Sequence, residues 1–277
     1  MARAIWKGSI AFGLVNVPVE LHTAVRDSRP HFHMLHAKDK SPVRFERVCI
    51  REGKTVDWAD LVKGYEYEKG RYVVLTKEDL KTAALQKSRT IDIRSFVKRA
   101  EIDDRFFESA YFLVPGAGNE RSYALLREAI RDSGRVGIAT IVLRDSQHLA
   151  ALEVTGNALV LTLMRYGEDL VDADQHHFPA AKDVRKAELQ MARTLVENLA
   201  GTWDPSEYTD EYRENLMKII KARLKGRKAH LVEHEEPRSA KVVDLMERLR
   251  QSLEQTGKGQ KGQKKAPARG RKRAHAA

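Results

Sequence analysis

Residues 8–22, GSIAFGLVNVPVELH, alternate apolar and polar positions in two phases. Ile10, Phe12 and Leu14 share one phase, and Val15, Val17, Val19 and Leu21 share the other. Alternation is the pattern of a half-buried strand. The change of phase near Gly13 predicts a bulge or a break. The next stretch, HTAVRDSRPHFHMLHAKDKSPVRFERVCIREGKTV, is rich in Lys and Arg and poor in core pattern. Only VRFERVCI alternates, weakly, and REGK reads as a turn. This stretch is expected to be an extended, basic excursion from the body. YEYEKGRYVVL then reads as a hairpin turning at Lys69-Gly70.

Thr76 followed by Asp79 forms a capping-box pattern that opens a short helix, KEDLKTAALQK. Asn119 to Ser133 predicts another helix, with Tyr123, Leu126 and Ile130 on one face and Gly134 ending it. Three strand-like runs follow, VGIATIVL, HLAALEV and ALVLTLM. Arg144-Asp145-Ser146 and Thr155-Gly156-Asn157 separate them as short turns. That order predicts an antiparallel meander. The body up to about Tyr166 is thus β-rich with a few helices, and its sheet is expected to close into a barrel.

Beyond it the period becomes helical. AAKDVRKAELQMARTLVENLAG carries Val184, Ala187, Met191, Leu195 and Leu199 on one stripe, with Gly201 as a stop. Asp204-Pro205-Ser206-Glu207 reads as a helix start, with the proline where its missing N–H costs nothing. Tyr212, Leu216, Ile219 and Ile220 continue a stripe to Gly226. SAKVVDLMERLRQSL is a short amphipathic helix with Ser239 as its N-cap. Its apolar face is Val242, Leu245, Met246, Leu249 and Leu253. Such a face, set between two hydrophilic stretches, is expected to await a partner.

Charge sharpens this picture. The chain has 277 residues, 50 Lys and Arg against 39 Asp and Glu, and a net charge of +11. Lys258, Lys261, Lys264, Lys265, Arg269, Arg271, Lys272 and Arg273 close it with no acid among them, so the rest is close to neutral. A block of like charge with nothing to bury is expected to be disordered and to seek a polyanion. The tail has neither an amphipathic apolar face nor a lipidation site, so nucleic acid is favoured over a membrane. Cys49 is the one cysteine, so no intramolecular disulfide forms and a reducing compartment fits. No run suits a signal peptide or a membrane span. The expectation is a cytoplasmic, nucleoid-associated protein.

Catalytic signatures are absent: no phosphate-binding glycine loop, no nucleophile elbow and no zinc-peptidase motif. PGAGNE at Pro115–Glu120 lacks the glycine spacing of a nucleotide site and reads as a loop. Glu52-Gly53-Lys54 matches the bare E-x-K of one nuclease family, but a two-metal site needs several converging carboxylates. His31, His33, His36 and Cys49 lie close in sequence, yet structural zinc usually takes four ligands, often as CxxC pairs. They are read as surface histidines, with no metal and no cofactor expected. Arg29, Lys38, Lys40, Arg44, Arg47, Arg51 and Lys54 make the excursion a candidate phosphate-tracking surface. No base-reading motif accompanies them, so binding is expected to ignore sequence.

The segments RAIWKGSIAFGLVNVPVELHTAV, FHMLHAKDKSPVRFERVC, VKGYEYEKGRYVVLTKEDL, TIDIRSFV, YFLVPG and GRVGIATIVLRDSQHLAAL together resemble the bacterial Ku proteins. The likeness runs from about Ala2 to Leu253. It implies a mixed α+β fold with a Ku-type barrel over 1–170, including a bridge at 29–56. It further implies a helical dimerisation arm over 171–226 and a short C-terminal helix over 239–254 that recruits the ATP-dependent ligase D. Residues 255–277 match the variable DNA-binding extension. The implied function is non-enzymatic: a homodimeric ring that threads onto double-stranded DNA ends in non-homologous end joining. Two alternatives stay open at this point, a general DNA-coating protein that binds through its tail and a metal-dependent end-processing nuclease. Some members carry a CxxC pair in the bridge where this chain has Cys49 alone. By the same likeness, the von Willebrand-like domain of the eukaryotic relatives is not expected here.

Overall fold

The first hairpin explains the phase change at Gly13. Strand β1 (Trp6–Phe12) pairs antiparallel with β2 (Val15–Thr23), and Phe12 stands opposite Val15. Only Gly13 and Leu14 lie between, and Gly13 takes a φ of +58°. Glycine reaches that left-handed conformation without steric cost, as the first central residue of a tight hairpin turn requires. A turn of this length pairs even with odd positions, so Ile10 faces Val17. The expected bulge or break is therefore a hairpin turn.

The computed structural model describes residues 3–83, 88–180, 182 and 184–227. The chain divides into two units at Gln175/His176. In the first, after the basic stretch that ends near Val56, come β3 (Lys63–Glu68), β4 (Arg71–Leu75) and α1 (Lys77–Ala83). Next are β5 (Thr90–Lys98), β6 (Phe107–Pro115) and α2 (Glu120–Ser133). The meander is β7 (Arg135–Leu143), β8 (Ser146–Thr155) and β9 (Ala158–Met164). Seven strands close a barrel in the order β1-β2-β6-β9-β8-β7-β5, and β3 with β4 forms a separate two-stranded sheet. The barrel expected from the alternating runs is present. Its closure is narrow: β1 meets β5 in parallel over Ser9–Ala11 and Thr90–Asp92.

Ile10, Leu21, Ile91, Leu113, Leu152 and Leu161 fill the barrel and are fully or almost fully buried. Tyr123, Leu126 and Ile130, one face of α2 at helical spacing, enter the same core. The Tyr123 hydroxyl donates to the Leu113 carbonyl (2.8 Å) and accepts from the Leu159 N–H (2.7 Å). Leu113 and Leu159 are partners across β6 and β9, so one side chain ties the helix to a paired register. Tyr123→Phe leaves both backbone groups without a buried partner and is expected to cost about 2 kcal/mol in denaturant unfolding. Burial pushes the Tyr123 pKa up. A folded-state value above the unfolded one keeps stability up to about pH 10 and loses it as pH rises from there. Unfolding curves of Tyr123→Phe should lack that alkaline loss.

The capping box is formed: the Thr76 hydroxyl and backbone N–H both donate to Asp79, and the Asp79 N–H donates back to Thr76. Two helix starts differ from expectation. In the second unit α3 (Lys186–Leu199) begins after Arg185, so Val184 lies ahead of it. Asp204 to Glu207 closes a single 3₁₀ turn, in which the Ser206 N–H donates to Asp204. The cap of α4 (Glu211–Leu224) is Asp210, which accepts from the Arg213 N–H. Neither α3 nor α4 buries a residue fully.

Candidate nucleic-acid interface

From Thr23 to Arg89 no described residue is buried. Two miniature loops shape the first half of this excursion. Leu35 bridges Pro42, and Lys40 at φ +62° turns the chain. Val48 bridges Thr55, with Gly53 at φ +67° in the turn read from REGK. The Cys49 N–H donates to the Lys54 carbonyl and the Gly53 N–H to the Cys49 carbonyl, both at 2.8 Å. Backbone bonds of this kind hold a segment that has no core of its own.

The seven candidate cations, Arg29, Lys38, Lys40, Arg44, Arg47, Arg51 and Lys54, are all exposed, and the loops distinguish them. Arg44 is held by Glu46 at 2.6 Å, and the Lys40 ammonium donates to the Ala37 carbonyl at 2.6 Å. The Arg47 guanidinium lies 4.0 Å over the Trp58 ring. That stack orients Arg47 without neutralising it. Arg29, Lys38, Arg51 and Lys54 have no carboxylate partner among the described residues. Arg47, Lys38, Arg51 and Lys54 are thus the cations left available to an anion on the two loops.

The histidines do not assemble. His31, His33 and His36 are exposed and Cys49 is half-buried. Only His36 has a partner, Asp39 at 3.0 Å. Hydrogen bonds from the Ser41 N–H and hydroxyl, then from His36, hold the Asp39 carboxyl below its usual pKa. Among the described residues no three His, Cys, Asp or Glu side chains cluster to hold a metal ion. Glu52 stands in the exposed turn of the second loop.

Residue-type reading missed the β3–β4 hairpin as part of this surface. Lys63, Lys69, Arg71, Tyr65, Tyr67 and Tyr72 are all exposed on it. Arg71 lies 5.4 Å over Tyr67 but is also bound to Glu68 at 2.9 Å. Phe32, Phe45 and Trp58 add exposed aromatic rings along the excursion. In the second unit Trp203 stacks on Tyr208 at 4.9 Å, with Tyr212 also exposed. The segment carrying Val242, Leu245, Met246, Leu249 and Leu253 lies outside the described residues. So does the basic tail from Lys258 to Arg273.

The arrangement offers cations and flat aromatic rings on a long coreless segment, suited to a phosphate backbone and to an apolar partner. Comparison with known proteins agrees with the barrel. A family model described as the Ku70/Ku80 beta-barrel domain matches residues 11–191. The Non-homologous end joining protein Ku of Opitutus terrae is 42% identical over 98% of this chain and 97% of its own length. The protein of the same name from Cupriavidus necator is 41% identical over 97% of this chain and 84% of its own. That from Bacillus subtilis is 38% identical over 92% of this chain and 82% of its own. With a family model across most of the chain and such relatives along nearly all of it, the chain belongs to the Ku family.

Proposed function

We propose that two copies of this chain form a ring that loads onto double-stranded DNA ends and serves non-homologous end joining. The observation that carries this reading is the excursion from Thr23 to Arg89. None of its described residues is buried, yet it displays Phe32, Phe45, Trp58 and Tyr65 at more than 60% exposure beside unpaired cations. A folded chain does not keep so much apolar surface in water without a use for it. A second copy covers the apolar part, and the cations follow the DNA backbone. The helices α3 and α4, which bury no residue of their stripes fully, act as the arm that crosses to the second copy.

The mechanism is topological. A closed ring passes onto DNA only where the duplex ends, and phosphate contacts hold it without reading bases. The protein is a scaffold in the cytoplasm, at the nucleoid, and not a catalyst. Residues 239–254 recruit and stimulate the ATP-dependent ligase D through Val242, Leu245, Met246, Leu249 and Leu253. The tail is an accessory tether whose cations add affinity by releasing counterions.

The test compares one DNA as a linear molecule and as a relaxed closed circle, near physiological salt, with and without residues 256–277. The linear form is expected to bind more tightly in both proteins, with truncation only weakening it. Equal binding of line and circle, abolished by truncation, would mean that the tail coats DNA and that no ring loads.

A further inference from the structure

We infer that the slot between α2 and the end of β5 is a docking site for an extended acidic peptide bearing one large apolar side chain. The slot has a volume of about 220 Å³ and is lined chiefly by Phe12, Phe96, Leu126, Ala129, Ser133 and Arg135. Apart from Ser133 and Arg135 its walls are apolar, which suits a single aromatic or branched aliphatic side chain. It exists because the barrel seam is short. β1 pairs with β5 no further than Asp92. Beyond that point, among the described residues, no strand lies on that side of β5. Phe12, at the end of β1, meets Phe96 edge-on at 5.8 Å and remains 42% exposed.

One end of the slot carries charge with no counterion. Lys98 and Arg135 stand directly opposite each other across β5 and β7. Facing like charges destabilise a strand pair, and among the described residues neither side chain has a carboxylate partner. Their neighbours are already satisfied: Arg99 binds Asp104 and Glu153, and Arg131 binds Glu128. Two chemistries are thereby left open at one place. The unpaired edge of β5 can accept an added strand, as sheet edges do for extended peptides. The facing cations call for a carboxylate near the apolar anchor. A DNA backbone would answer the cations but leave the apolar slot empty, so a peptide is the better match.

The probe is a blocked, fluorescein-labelled peptide of alternating valine and glutamate around one phenylalanine, titrated with the full-length protein near physiological salt. Two companion peptides replace its phenylalanine by alanine, or its glutamates by lysines. The first peptide is expected to bind at least about tenfold more tightly than either companion. Ala129→Phe fills the mouth of the slot and Arg135→Glu reverses its charge. Both positions are exposed, so the fold is expected to survive, with melting curves as the check. Each is expected to weaken the acidic peptide about tenfold and to leave binding to linear duplex DNA unchanged. Companions that bind as well as the first peptide would overturn the inference. So would binding indifferent to both substitutions, the result if the basic tail holds the peptide. Arg135→Glu weakening DNA binding and not peptide binding would assign the cations to DNA and also overturn it.

Discussion

Gly8→Val is expected to be the most damaging single change in the barrel, lowering the melting temperature by about 10 °C. A Cβ on Gly8 would stand 2.2 Å from the Arg89 carbonyl oxygen and within 2.5 Å of two atoms of the Trp6 ring. The first neighbour is backbone and cannot rotate away. It also accepts the Ser9 N–H at 2.9 Å, one of the bonds at the β1–β5 seam. Any side chain at Gly8 must push apart the strands that close the barrel. Overpacking of this kind costs about 3 kcal/mol at the upper end of its usual range. For a domain of this size each kcal/mol is worth about 2–4 °C. Gly8→Ala should move the same way by less. Gly167→Ala is the control, because no atom lies within 4 Å of its added Cβ and no positive φ forbids it. Circular dichroism melts of the three variants make the comparison. If Gly8→Val melts with the wild type, the seam between β1 and β5 is not what closes the barrel.

Replacing Lys38, Arg47, Arg51 and Lys54 together by glutamine is expected to lower affinity for linear DNA by at least about a hundredfold near physiological salt. These are the loop cations whose side chains are bound to neither a carboxylate nor a carbonyl among the described residues. Each phosphate contact adds about 0.9 to the slope of log affinity against log salt, so four lost contacts lower it by about 3.6. The slope separates lost contacts from a general loss of folding, which would not change it by a set amount per residue. Arg44→Gln is the contrasting variant. Arg44 is already bound to Glu46 at 2.6 Å and should matter least. An unchanged slope in the fourfold variant would place the DNA elsewhere on the molecule.

What could be read from residue order follows how local each interaction is. The meander was legible because its turns, Arg144–Asp145 and Gly156–Asn157, join strands that pair with their immediate neighbours. A barrel was expected, but not the strands that close it, because β1 and β5 meet in parallel across a long stretch of chain and leave no local mark. The phase change at Gly13 was visible, but alternation alone does not separate a bulge from a hairpin. Asp204-Pro205 carried a helix-start signal, yet the chain continues as an α-helix only after Asp210. In the excursion, residue type identified the cations. Arg44 and Glu46, two apart in extended chain, share a face and could have been paired in advance. Arg47 and Trp58 meet through the fold of the second loop, and no spacing announces that contact. The facing pair Lys98 and Arg135 required the register of β5 on β7.

Apart from backbone bonds at its two ends, where Thr23 pairs with Tyr111 and the Arg89 carbonyl holds the Ser9 N–H, the excursion adds none of its described side chains to the barrel core. Its sequence is therefore released from the packing rules that constrain the strands on either side. Substitutions there change what the protein touches without changing whether the barrel folds. Lineages can retune loop charge and aromatic content while keeping one scaffold. The same independence makes the segment a natural cassette for engineering, exchangeable between relatives at Thr23 and Arg89 with the melting of the barrel as the check.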